Sequence, residues 1–297
     1  EDGTIDVDST VAAQIKGVDE QRIPEALDIV GLAPRQKDAF RKYSLGMKQR
    51  LALAATMLGD PELITVKGMR LLKDADLVIY AGSLVREKVL EYCEKAPVIR
   101  NSASMSLEEI TSLMVEAARQ GKKVVRLHTG DPSLYGALRE QADILEREGV
   151  AYGIVPGVSS AFASAAALKR ELTLPGVTQT VIFTRVEGRT PVPDKERLSK
   201  LSAHGATICI FLSIAMIDEV VKELSEGYGH QTPIAVVYRA SWEDEKVVKG
   251  TLADIASKVK DAGISRQAMI IVGEAIGDTP FEPSKLYDAG FSHGFRE

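Results

Sequence analysis

The chain has 297 residues, 45% of them hydrophobic and 27% charged, which is the composition of a globular protein with one large or two modest domains. Its 37 Lys and Arg against 42 Asp and Glu leave a net charge of −5, which argues against non-specific nucleic-acid binding, a function that needs a basic excess. The longest apolar run, Ile208 to Ile217, is about half the length needed to span a bilayer, and no basic-then-apolar leader opens the sequence. The expectation is a cytoplasmic protein without a membrane span, with Cys93 and Cys209 as reduced interior thiols and no metal site.

Residues 1–58 read as a polar helical segment. Ile23, Ala26, Leu27 and Val30 recur at helical spacing before a stop at Gly31. Ser44 is an N-cap for a second helix whose apolar face carries Met47, Leu51, Ala54, Ala55 and Leu58, and Gly59-Asp60-Pro61 ends it. From Leu63 onward, apolar runs alternate with helical patterns. Strands are expected at Leu77–Tyr80, Val124–His128, Ala151–Val155, Thr180–Thr184, Thr207–Leu212, Ile234–Tyr238 and Met269–Val272. Helices are expected at Leu107–Arg119, Leu134–Glu148, Ala161–Ala167, Ile217–Ser225 and Leu252–Ala262. That rhythm predicts an α/β architecture with at least some parallel strands, jointed near Val155-Pro156-Gly157.

Two loops stand out. His128-Thr-Gly-Asp-Pro-Ser-Leu-Tyr-Gly136 follows a strand and precedes a helix, where open α/β sheets bind ligands. By residue type alone the favoured reading is a tight strand-to-helix turn with Asp131 as a helix cap. Val155-Pro-Gly-Val-Ser-Ser-Ala161 repeats the arrangement and leads into a helix of Ala, Ser and Phe, which is either closely packed or the bed of a ligand. The dinucleotide fingerprint Gly-x-Gly-x-x-Gly, the phosphate loop Gly-x4-Gly-Lys-Ser/Thr, the Gly-x-Ser-x-Gly elbow and metal-ligand histidine spacing are all missing. The chemistry expected is therefore one without metal, NAD or covalent nucleophile.

Several strings resemble the tetrapyrrole (corrin/porphyrin) methyltransferases: Gly59-Asp-Pro-Glu-Leu-Ile-Thr-Val-Lys-Gly68, Asp74-Ala-Asp-Leu-Val-Ile-Tyr-Ala-Gly-Ser-Leu-Val85, and the two loops above, in that order. Gln179–Pro193, Lys285-Leu-Tyr-Asp288 and His293-Gly-Phe-Arg296 are similar to members that methylate C11 of precorrin-4 or its cobalt form. The resemblance implies two α/β domains, 59–154 and 155–297, with a cleft between them. It also implies S-adenosylmethionine as cofactor, S-adenosylhomocysteine as product, a tetrapyrrole substrate in cobalamin biosynthesis, and a homodimer. Carried over residue by residue, Thr129, Gly130, Asp131, Leu134, Ser159, Ser160, Leu212, Ala240, Ala268 and Met269 would hold the cofactor; for Leu212 and Met269, side-chain type alone favours core packing. Arg185, Arg189, Arg239, His293 and Arg296 are candidates for the substrate's carboxylates, each with an exposed surface role as the alternative. Some relatives carry an acidic residue in the Tyr80–Val85 loop; this chain has Gly82, so no general base is assigned.

Residues 1–58 depart from that pattern. Tyr43-Ser-Leu-Gly-Met-Lys-Gln-Arg-Leu-Ala-Leu-Ala54 resembles the signature region of an ABC-transporter ATPase, which points to a fusion joined near Gly59. Ala55–Pro61 stands where the methyltransferases have a first strand and a glycine-rich loop, so the first sheet is expected to lack that strand. Three readings follow: a methyltransferase; a protein that binds cofactor or tetrapyrrole without turnover; and, last, an ATP-binding component, which the missing phosphate loop disfavours.

Overall fold

The computed structural model describes residues 63–82, 85–95, 98–188 and 190–284. The helices expected around Ile23–Val30 and Ser44–Leu58 lie outside them. The fold below is that of the unit Leu63–Ala240 with Asp244–Glu297.

The first half is built on a short parallel sheet. Thr65 caps helix α1 (Val66–Lys73), its hydroxyl accepting from Gly68 N at 3.2 Å. Strand β1 (Leu77–Tyr80) is buried along its whole length, as an apolar run covered on both faces should be. Strands β2 (Val98–Asn101) and β3 (Val124–Leu127) flank it in parallel, giving the order β2-β1-β3. Helix α2 (Leu107–Arg119) starts with a capping box in which Ser106 Oγ accepts from Glu109 N and Glu109 Oε2 accepts from Ser106 N. With helix α3 (Leu138–Arg147) it covers the face bearing Leu77, Ile79 and Val124, while Leu72 of α1 packs with Val78, Val125 and Leu127 on the other.

Helix α4 (Ser160–Leu168) leads into the second half. Strands β4 (Val181–Arg185), β5 (Thr207–Phe211), β6 (Pro233–Tyr238), β7 (Lys246–Thr251) and β8 (Ala268–Val272) form a mixed sheet of order β4-β5-β8-β6-β7. Among the described residues of this sheet only β4 and β5 pair in parallel. Helices α5 (Leu198–Leu201), α6 (Ile217–Leu224) and α7 (Ile255–Asp261) cover the face carrying Ile208, Ile210, Ile234, Val236, Ile270 and Val272. On the opposite face Ala161, Ala165 and Leu168 of α4 pack against Cys209, Ala235, Val237 and Ile271. The small residues of α4 thus let the helix lie close on a sheet. Cys209 and Cys93 are free thiols, and burial pushes that of Cys209 up to about 12.

The α/β expectation and six of the seven expected strands are borne out, with ends shifted by a residue or so. Ala151–Val155 is the exception: it forms no strand, pairs with no ladder among the described residues, and leaves Tyr152 43% and Ile154 48% exposed. An apolar run becomes a strand only if a neighbour offers hydrogen bonds, and among the described residues none does. The helix expected from Leu134 starts only at Leu138, because Tyr135 and Ala137 both adopt left-handed backbone (φ 57° and 48°), which ends any helix. Two strands went unforeseen. In β2 the run Val98-Ile99 is too short to signal a strand by itself, and in β7 the lysines of a polar edge strand mask the pattern. Among the described residues no helix is long and apolar enough to cross a membrane, and no three His, Cys, Asp or Glu side chains gather as a metal site would need.

Candidate active site

The loop that leaves β3 is fixed from within and from outside. Gly130 takes a left-handed backbone (φ 67°), and Asp131 then turns its carboxylate back into the chain. Asp131 Oδ1 accepts from Ser133 N at 2.9 Å, and Oδ2 accepts from Gly157 N at 3.0 Å. The Ser133 side chain, and then the backbone N–H groups of Ser133 and Gly157, hold this carboxyl below the usual carboxylate range. Asp131 is therefore a clasp between the two loops that the sequence singled out.

Gly157 makes the clasp possible. A Cβ on it would lie 2.0 Å from Gly130 O and 2.8 Å from Gly130 C, so only glycine permits this approach of two backbones. On the far side of Gly157, Ser159 is buried and caps α4, its Oγ accepting from Ala161 N at 3.3 Å, and Ser160 is the first helical residue. Thr129, Gly130, Asp131, Ser159 and Ser160 are accordingly neighbours in space, and Leu134 closes the turn with its N–H on Asp131 O at 3.2 Å.

The second sheet supplies the other side. The last residue of β5, Phe211, lies 5.4 Å from the ring of Tyr135 in the first loop, and through Phe183 the aromatic line continues to Phe162 of α4. Next to Phe211, Leu212 adopts a left-handed φ of 56° and is 69% exposed, which removes core packing as its explanation. A bulky residue held in that region is strained by roughly 1–3 kcal/mol, and such residues concentrate at functional sites. Ala240 follows another left-handed residue, Arg239 (φ 47°), at the end of β6, and Ala268 opens β8 opposite Tyr238. Leu212, Ala240 and Ala268 thus share one end of the sheet, the end that Tyr135 reaches. Met269 is buried in the core beneath, with Ala240 packed against the same cluster.

The expected substrate cations are disposed differently. Arg185 donates to the carbonyls of Val186, Thr190 and Pro191 at 3.0–3.2 Å and so fastens the loop after β4. Arg239 bonds Gln267 Oε1 at 2.8 Å and Asp244 Oδ2 at 2.6 Å, with its guanidinium 5.0 Å from the Tyr238 ring centroid. Arg189, His293 and Arg296 lie outside the described residues. Gly82 is also accounted for: its φ is 55° and a Cβ would lie 2.8 Å from Ala103 Cβ, so an acidic side chain has no room there.

Sequence reasoning missed Arg126 and His128 as a pair, and Gln141. Arg126 Nη1 donates to Ile79 O at 3.1 Å and its Nε to Gln141 Oε1 at 3.3 Å, while Gln141 Nε2 donates to Ala137 O at 3.0 Å. The signal was the alternation of Arg126 and His128 within an otherwise apolar strand. Burial first, and then the nearby Arg126 charge, push the His128 imidazole down to about 4, so it is neutral at pH 7.

Comparison with known proteins agrees with this arrangement. A family model described as Tetrapyrrole (Corrin/Porphyrin) Methylases matches residues 50–256, starting nine residues before the boundary expected at Gly59. The cobalt-precorrin-4 C(11)-methyltransferase of Methanocaldococcus jannaschii is 60% identical over 240 residues, 80% of this chain and 93% of that protein. The crystal structure of a cobalamin biosynthetic enzyme, cobalt precorrin-4 methyltransferase CbiF, superposes with a TM-score of 0.71 at 49% identity, covering 73% of this chain and 92% of that one. Uroporphyrin-III C-methyltransferase from Thermus thermophilus, solved in complex with S-adenosyl homocysteine, gives a TM-score of 0.61 at 31% identity over 73% of this chain and 94% of that one. With the family model matching more than half its length, the chain belongs to the tetrapyrrole (corrin/porphyrin) methylases.

Proposed function

We propose that the protein is an S-adenosylmethionine-dependent methyltransferase of cobalamin biosynthesis that methylates C11 of cobalt-precorrin-4 or precorrin-4. The observation that carries this reading is the Asp131–Gly157 clasp, which sets the two expected cofactor loops side by side and turns Tyr135 onto the end of the second sheet. The residues present fit the cofactor's chemistry. The rim combines an anionic carboxylate (Asp131) with the N-terminus of α4, the exposed Leu212 and an aromatic line. Those groups suit a ligand that is cationic at one end, hydrogen-bonding along its middle and flat and apolar at the other.

When bound, the cofactor supplies a methyl group on a sulfonium, already a strong electrophile. The protein's own task is then to hold two reactants in line and keep water away, a contribution that positioning alone can make large. Thr129–Asp131, Leu134, Ser159 and Ser160 would hold the cofactor from the first half; Leu212, Ala240, Ala268 and Met269 would hold it from the second. Arg185 and Arg239 already have protein partners, so binding a carboxylate would require each to share its donors. Arg189, His293 and Arg296 remain proposals from sequence resemblance alone.

The same reading divides the chain at residues 59–154 and 155–297, supported by the two separate sheets, with residues 1–58 as an added segment of ABC-ATPase resemblance. It also makes the protein cytoplasmic, a reading that rests on its two free cysteines, and a homodimer, which rests on resemblance alone. Calorimetry with S-adenosylhomocysteine, with ATP as the control ligand, tests the core of the reading. One micromolar site per chain and no heat from ATP is the expected result; a folded protein that binds no S-adenosylhomocysteine would overturn it.

A further inference from the structure

We propose that Gln267 is a positioning residue for the cofactor: it holds Arg239 in a left-handed turn and so fixes where Ala240 and Ala268 stand at the end of the second sheet. The inference rests on the reading above for its ligand, and on three adjoining strand ends for its geometry. Strands β5, β8 and β6 are neighbours in the sheet. Leu212 directly follows β5, Arg239 directly follows β6 and Gln267 directly precedes β8. All three take left-handed backbone, with φ of 56°, 47° and 54°. None of them is glycine, so each is strained and persists only where its surroundings enforce it.

At Arg239 and Gln267 the enforcement is mutual. The ladder between β6 and β8 ends with Tyr238 opposite Ala268. One step further out, Arg239 N donates to Gln267 O at 3.0 Å and Arg239 Nε donates to Gln267 Oε1 at 2.8 Å. The backbone and the side chain of Arg239 are thus tied to the same residue. Asp244 Oδ2 accepts from Arg239 Nη1 at 2.6 Å, and the guanidinium stands 5.0 Å from the Tyr238 ring centroid, so the head group is held from three directions. An extended residue at 239 would carry Ala240 onward in the line of β6. The left-handed turn instead diverts the chain there, and Ala240 packs against the cluster that holds Met269 and Ala161 of α4. Ala240 and Ala268 are the residues next in sequence to the Arg239–Gln267 pair. A turn alone would be served by glycine, which takes this backbone without strain. Arg and Gln accept the strain and keep a charge-assisted side-chain bond, which restricts the rim to one backbone arrangement.

Calorimetry with S-adenosylhomocysteine on the full chain, read beside the thermal midpoint, tests the role. Gln267→Gly removes the side-chain acceptor and relieves the strain at 267, so the Kd should rise about tenfold while the midpoint stays within about 2 °C of the parent or rises. Gln267→Glu keeps an oxygen for the guanidinium and should restore the affinity to within about twofold. Because Gln267 acts through Arg239, the double variant Arg239→Met/Gln267→Gly should bind no more weakly than Arg239→Met alone. Parent-like affinity in Gln267→Gly overturns the inference, as do a loss that Gln267→Glu fails to restore and a double variant in which the two losses multiply. A midpoint that falls in step with the affinity also overturns it, since Gln267 would then support the sheet and nothing more. A parent chain that binds S-adenosylhomocysteine beside variants that match it sinks this inference alone; a folded parent that binds none sinks the proposed function and the inference with it.

Discussion

The two sheets are built from similar apolar runs, yet they are buried very differently. In the second, the three interior strands β5, β8 and β6 are almost completely buried, with helices on both faces. In the first, only β1 is; β3 is half-exposed along its length and β2 is exposed at every residue. Among the described residues the first sheet has three strands, one interior and two at its edges, so most of its described backbone has a partner on one side only. The second sheet contains its own stability, whereas the first depends on what lies along its edges.

The comparison is most sharply broken where the halves meet. Gly157→Ala would drive a methyl group into Gly130 O, so we expect a loss of about 3 kcal/mol or more and no measurable S-adenosylhomocysteine binding, read by denaturant melts and calorimetry. Next come matched truncations. Ile270→Ala in the fully buried β8 should cost about 3–4 kcal/mol, and Ile99→Ala in β2, where the side chain is 37% exposed, about 1 or less. Equal costs for the two would show that the first sheet is as well covered as the second.

Asp131→Asn should cost about 1.5 kcal/mol, because an amide cannot accept from both Ser133 N and Gly157 N. Since the Asp131 carboxyl is held below its ordinary value, its contribution is present above about pH 4 and is lost as the pH falls further. The Asn variant should therefore lose less stability than the parent in that acid range, as urea melts at several pH values would read. His128 acts in the same sense over a higher pH window. Its folded value is pushed down to about 4, so the unfolded chain takes up more protons and stability declines as pH falls from about 6.5 to 4. The slope should reach about 1 kcal/mol per pH unit, below the full value for one proton because the ring is partly open to solvent. His128→Gln should flatten it.

Sequence legibility followed the same division. Strands such as Thr207–Phe211 and Ala268–Val272 were legible because interior strands are apolar throughout, and Leu107–Arg119 because a capping box opens an amphipathic run. The two loops were legible from turn residues, since Gly, Asp and Pro at a strand end carry local conformational meaning. The run Ala151–Val155 looked no different from them, but the sequence of a strand does not state whether a partner will lie beside it.

By itself, then, the sequence determined the α/β class, the family, the interior strands and the two candidate loops, because each is encoded by local pattern or by long matching strings. Only the tertiary structure decided that Asp131 clasps Gly157, that Tyr135 and Leu212 take left-handed backbone at one end of the second sheet, and that Arg100 and Arg126 flank Ile79 in register. Those facts join residues 21 to 77 positions apart, and which side chains meet across such distances is set by packing and strand register, which no window of the sequence contains.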